Sequence, residues 1–129
     1  MSKEINSGLN MYEFNRMNMG KLPLLEDLSG AKETIKSFIS KKATQYYMLL
    51  NHDNRYFTLF NFSAGIVLSS KIELMGKDVI ECLQNCNFGI IDIFEDEVGA
   101  ALEIWVKDLE TEAVYMYLLF PYDYGVIEY

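Results

Sequence analysis

Histidine occurs once in this chain, cysteine twice, and no lysine or arginine follows Lys107. Each shortage closes off a kind of chemistry. With His52 alone, a two-histidine metal site cannot be built within one copy. His52 beside Asp53 has the makings of a base oriented by a carboxylate, but His52-Asp53-Asn54-Arg55 is a polar cluster with turn chemistry, and turn residues rarely point at each other. Cys82 and Cys86 are four apart, and zinc wants four ligands where no second Cys/His cluster exists. Both cysteines fall on an apolar helical stripe, where free thiols act as small hydrophobes, and a disulfide between them would strain a helix. The eight glycines stand singly, without a phosphate cradle, and the spacing of a calcium loop is absent. No metal, cofactor or enzyme activity is expected. The charge-free stretch from Tyr56 to Ser70 is too short and too polar to span a bilayer. Met1 to Ile5 leads into polar residues rather than an apolar run, so no signal peptide is expected; with seven methionines and two cysteines, the expected compartment is the reducing cytoplasm.

What is present suits one folded domain over 1–129, with residues 1–9 loose. Half of the 129 residues are hydrophobic and mean hydropathy is +0.02. A chain this long buries roughly two-thirds of its unfolded surface without disulfides. The net charge of −8 is unevenly spread. Residues 1–56 hold eight Lys/Arg against six Asp/Glu, whereas 57–129 hold three Lys against thirteen Asp/Glu. Nucleic-acid binders need a basic stripe to displace phosphate counterions, and this chain offers the reverse. Direct contact with nucleic acid or with anionic lipid is not expected.

Along the chain, Asn10 with Glu13 resembles a capping box and predicts a short helix from Met11 to Met19, ended by Gly20 and Pro23. Ser29 is a candidate cap for a second helix, whose stripe is Leu28, Ala31, Ile35, Phe38, Ile39 and Lys42, with Lys41 and Lys42 in its last turn. Two aromatic runs, Thr44–Asn51 and Tyr56–Phe62, predict a hairpin around His52–Arg55, and Ile66–Ser69 a short further strand. Val79, Cys82, Leu83 and Cys86 mark a third helix from Lys77 to Asn85, stopped by Asn87 and Gly89. Strands follow at Ile90–Glu95, Ala101–Lys107, Val114–Phe120 and Val126–Glu128. The implied class is α+β: an antiparallel sheet of about five strands with two to three helices mainly on one face, in the order α-α-β-β-(β)-α-β-β-β.

Ala101–Lys107 alternates Leu102, Ile104 and Val106 against Glu103, Trp105 and Lys107; the next strand alternates Val114, Met116, Leu118 and Phe120 against Tyr115, Tyr117 and Leu119. Placing both aliphatic sets on the helices leaves Trp105, Tyr115 and Tyr117 together on the outer face, where either the N-terminal helix or a homodimer partner covers them as a second core, or they stand exposed as contact anchors. Around them lie Asp92, Glu95, Asp96, Glu97, Glu103, Asp108, Glu110 and Glu112. Solvated carboxylates in turns are poorly placed for the raised pKa of a general acid. An aromatic anchor with a negative rim instead suits a basic protein partner, and alternate strand carboxylates, about 6.5–7 Å apart, can stand in for phosphates. The Tyr-, Asn-, Lys- and Ile-rich composition of this compact acidic chain resembles small proteins of phages and mobile elements in low-GC bacteria. The expected function is therefore non-enzymatic: an inhibitor, such as an anti-CRISPR-like nucleic-acid mimic, occupying the basic groove of a host defence or nucleic-acid-handling protein. The alternatives are a binder or sponge of a nucleotide-like small molecule involving Arg55, and a structural or assembly subunit; a homodimer is compatible with each.

Overall fold

A computed structural model describes residues 7–46, 57–63, 66–74, 78–96, 99 and 101–121. In chain order the elements are α1 (Ser7–Met19), α2 (Ser29–Tyr46), β1 (Phe57–Ser63), β2 (Ile66–Glu73), α3 (Val79–Asn85), β3 (Phe88–Glu95), β4 (Leu102–Asp108) and β5 (Val114–Pro121). The class is α+β. All strand pairs are antiparallel, and the strands lie in the order β2-β1-β5-β4-β3. No helix among the described residues is long and apolar enough to cross a membrane.

Local signals act at most helix ends, though not always through the expected residue. α1 starts at Ser7, so Asn10 lies inside the helix rather than at its start, and Glu13 pairs with Arg16 at 3.0 Å. At α2 the capping carboxylate is Asp27, whose Oδ1 accepts from the Ser29 backbone N–H and hydroxyl at 3.0 and 2.8 Å. The backbone bond and then the hydroxyl bond hold the Asp27 carboxyl below its ordinary range. Asp78 caps α3 by accepting from Glu81 N–H, and Asn87 takes the left-handed turn after it at φ 67°. Gly89 is no stop. It sits in β3, where a Cβ would come within 2.8 Å of Leu24 Cδ1, and this close approach seats the α1–α2 connection against the sheet edge.

The expected first hairpin is replaced. Thr44–Tyr46 belong to α2, and 47–56, with the His52–Arg55 turn, lie outside the described residues. β1 pairs with β2 on one side and β5 on the other. The strand expected at Val126–Glu128 also lies outside the described residues. Helical continuation through Thr44 has a physical basis: the stripe Ala31, Ile35, Phe38, Ile39 and Lys42 is buried to its end, and this packing carries the helix past the β-rich composition that follows.

Helices cover both faces of the sheet, not mainly one. On one face, α2 and α3 pack Ile35, Phe38, Ile39, Val79, Ile80 and Leu83 against Phe57, Leu59, Ile90, Ile104, Val106 and Leu119. On the other, α1 and the loop after it bring Tyr12, Met19 and Leu24 onto Ile91, Ala101, Trp105, Val114, Met116, Leu118 and Phe120. The Tyr12 and Trp105 rings stack at 6.1 Å with 23° between their planes. A strand between two cores needs apolar residues at both parities, as in the unbroken run Val114–Phe120. Tyr12→Ala is expected to loosen the α1 side alone. Hydrogen exchange should quicken in 12–19 while α3 amides keep their protection. Trp105→Ala, which empties the centre of that core, should cost roughly 3–5 kcal/mol in denaturant unfolding.

Candidate functional site

The register of β4 on β5 settles where the three aromatic rings lie. Trp105 stands opposite Met116, Val106 opposite Tyr115 and Ile104 opposite Tyr117. Directly opposed residues share a face, so Trp105 lies on the α1 side and both tyrosines on the α2–α3 side. The expected shared outer face does not exist: the pairing is offset by one residue from the one that would align the aliphatic sets. Trp105 is 2% exposed and Tyr117 7% exposed, and Tyr115 is half-buried. Phe88 lies between the tyrosines, with ring centroids at 5.9 Å from Tyr115 and 5.6 Å from Tyr117. Trp105 and Tyr117 are core, and Tyr115 packs against that core at its margin.

The carboxylates divide according to the same geometry. Asp92, opposite Trp105, and Glu103, opposite Phe94, are on the α1 side. Glu95, opposite Leu102, is on the α2 side, where its carboxylate meets Lys41 Nζ at 2.6 Å. A bulge between Ile90 and Asp92 buries both Ile90 and Ile91, on opposite faces, and the Asp92 carboxylate accepts from the next N–H, that of Ile93, at 2.8 Å. Glu103 accepts from Trp105 Nε1 at 3.1 Å and thereby satisfies the buried indole. Asp108 shapes the β4–β5 turn, accepting from the N–H groups of Glu110 and Thr111 at 2.8 and 3.1 Å, and Glu112 closes it at φ 66°. Glu110 and Glu112 are exposed; Asp96 is half-buried and Glu97 lies outside the described residues.

Among the described residues, therefore, no face carries a continuous row of alternate carboxylates. The sheet instead brings Glu95 and Asp96 to one end of β3 and Asp108, Glu110 and Glu112 to the other, where Asp108 pairs with Phe88. Along a strand of this length the two acidic groups are about 23 Å apart, with Asp92 on the strand between them. Among the described strands β3 pairs with β4 alone, and on its other side the Leu25 N–H donates to Ile90 O at 2.8 Å. Charge at such an edge also deters strand-to-strand aggregation.

Two basic residues at the Glu95 end were read from the sequence as last-turn charges. Because α2 runs on to Tyr46, Lys41 reaches Glu95 instead, and Lys42 is 5% exposed with its ammonium 5.6 Å from the Phe38 ring centroid. Burial, then the neighbouring Lys41, push the Lys42 amine below its ordinary value, while Glu95 and Asp96 oppose that shift. The helical spacing Phe38–Lys42 carried this signal. Cys82 is buried as expected, whereas Cys86 is exposed at the end of α3. Among the described residues no group of three His, Cys, Asp or Glu side chains is arranged to hold a metal ion. A groove of about 520 Å³ opens between α2 and the start of α3, with Lys32, Lys36, Glu33 and Asp78 above Ile39 and Val79. No protein-family model, curated protein or solved structure matches the chain.

Burial raises the Tyr117 phenol above its ordinary 10.0, and a hydrogen bond with Asn61, its cross-strand partner, works the other way. The folded state thus holds the proton longer than the unfolded chain, and the stability this gives is complete below pH 10 and is lost as pH rises through the folded value. Tyr117→Phe is expected to cost about 1–2 kcal/mol at neutral pH by leaving the buried Asn61 without its partner. Above about pH 10 the gap should narrow, because only the wild type carries the ionising phenol. Urea unfolding on either side of that pH measures both effects.

Proposed function

We propose that this protein is a non-enzymatic acidic binding protein that engages a basic partner through the β3 edge and its two turns. One observation supports this above the others. Over 78–121 the described side chains include nine carboxylates and a single cation, Lys107, and the two acidic turn clusters bracket a sheet edge. Carboxylates fixed on a rigid sheet form a preorganised negative field, which draws a basic surface by long-range steering and fixes its orientation. The partner class whose surface best matches such a field is a nucleic-acid-binding protein, since its groove already accommodates phosphates. In its most specific form the proposal is an inhibitor of the anti-CRISPR kind, made by a phage or mobile element and directed at a host nuclease, polymerase or defence effector.

The contact residues in this reading are Asp92, Glu95, Asp96, Asp108, Glu110 and Glu112. Trp105, Tyr115 and Tyr117 support the sheet from within. Affinity then leans on charge, which makes binding strongly dependent on ionic strength. A second reading, a small-molecule binder, draws on the groove beside α2, whose Lys32 and Lys36 could receive an anionic ligand over an apolar floor. A thermal-shift screen with nucleotides, repeated on Lys32→Ala/Lys36→Ala, separates the two readings.

Affinity capture from a lysate of the native cells at low salt tests the main proposal. Retained proteins are expected to be nucleic-acid binders that are displaced by added duplex DNA or structured RNA. Salt at about 0.3 M should release them, because exposed charges farther apart than a Debye length are then screened. Glu110→Lys/Glu112→Lys should cut retention at least about tenfold without moving the thermal midpoint, both residues being exposed. Retention that ignores both the competitor and the charge reversal overturns the reading.

A further inference from the structure

α1 is apolar on two sides. Its inner side packs Tyr12 and Met19 on the sheet, while Met11, Phe14 and Met17 point away and are 56%, 61% and 64% exposed. On a helix Phe14 lies close to diametrically opposite Tyr12, and Met11 and Met17 flank it by one step of three residues in each direction. Phe14 stands at the outermost point of this surface helix in a chain of net charge −8, and among the described residues it belongs to neither core cluster. Together the three side chains present on the order of 400 Å² of apolar surface, within the range of the largest patch on a typical monomer, which is often functional.

We infer that this stripe is the interface of a homodimer in which α1 packs against α1 of a second copy about a two-fold axis through Phe14. Three observations select a second copy as the occupant. The stripe is palindromic: a two-fold at Phe14 lays one Phe14 on the other, Met11 on the partner's Met17 and Met17 on the partner's Met11. An isologous interface requires such self-complementarity, whereas a heterologous partner gains nothing from it. The stripe is also free of charge. Its flanking Glu13 is held by Arg16 of the same helix at 3.0 Å, so two acidic molecules can meet here without opposing their charged surfaces. Finally, α1 packs on β5, two strands from β3, which sets the acidic edge about 10 Å or more to the side of the axis. That distance is near the Debye length at physiological salt, and the residual repulsion between the two copies is therefore screenable.

The area bounds the affinity. About 400 Å² is half of the roughly 800 Å² per partner of a standard stable interface, which places the dimer in the weak, micromolar class.

Sedimentation velocity on the full chain, from about 5 to about 500 µM, spans the range in which so small an interface associates. A concentration-dependent dimer is expected, and it should tighten as salt is raised from about 0.05 to 0.5 M, because screening removes repulsion and leaves the apolar contact. Phe14→Glu should weaken it at least about tenfold while the thermal midpoint stays unchanged. In a Cys86→Ser background the Phe14→Cys variant should cross-link to itself, and Met11→Cys should cross-link to Met17→Cys faster than to another Met11→Cys. A monomer across the whole concentration range overturns the proposal and leaves the stripe to a heterologous partner. A dimer indifferent to Phe14→Glu, or one that dissociates in salt, overturns it as well. The opposite salt dependence separates this result from the acidic-edge reading, and either can fail without the other.

Discussion

The pairing of Trp105 with Met116 is the contact on which the rest of this fold depends. Strand residues alternate faces, so one register assigns every side chain of β4 and β5 to a core at once. In this register Ile104, Val106, Tyr115, Tyr117 and Leu119 go beneath α2 and α3, and Trp105, Val114, Met116, Leu118 and Phe120 go beneath α1. Moving β4 by one residue would set the indole among the α2–α3 aliphatics and leave Tyr12 without its stacking partner. The polar fittings agree with the observed register. Glu103 reaches the indole N–H along the strand, and Asn61 meets the Tyr117 hydroxyl across it. Among the described residues every buried side-chain nitrogen and oxygen has a hydrogen-bond partner, as a settled interior requires.

A sheet packed on both faces has little room for charge except at its edges and turns. The acidic residues of β3–β5 accordingly gather at the Glu95–Asp96 and Asp108–Glu112 corners, and several of them also serve the backbone. Asp108 organises its turn and Asp92 satisfies an N–H beside the bulge, which are tasks any small acceptor could perform. Glu110 and Glu112 are exposed, Glu112 with a left-handed backbone, and their charge faces solvent. At the other corner Lys41 and the buried Lys42 temper the field, so the negative potential of the edge is expected to be strongest at the β4–β5 turn.

Two surfaces with opposed physics follow from this layout. The β3 edge is polar and acidic, and interactions there weaken as counterions accumulate. The outer side of α1 is uncharged and apolar, and contacts there persist in salt. In the proposed pairing, a two-fold through α1 would give the assembly two acidic edges. Such an arrangement favours a bivalent partner by raising the effective concentration of the second contact.

Helix positions, most strand limits and the α+β class were legible in the sequence, since they rest on local periodicity and on turn residues such as Asp108 and Asn87. The acidic bias of the sheet's turns was legible for the same reason, being a matter of composition. The β-rich run after Lys42 misled at its start, because the buried stripe of α2 overrode local propensity and carried the helix through Thr44–Tyr46. The faces of Trp105, Tyr115 and Tyr117 were not legible at all. With apolar residues at both parities of Val114–Phe120, either register buries a hydrophobic set, and nothing within a single strand distinguishes them. Local chemistry by itself determined which segments became helix or strand. Only the tertiary structure, by placing α1 on the second face, decided that the aromatic rings are interior and that the charge belongs to the edge.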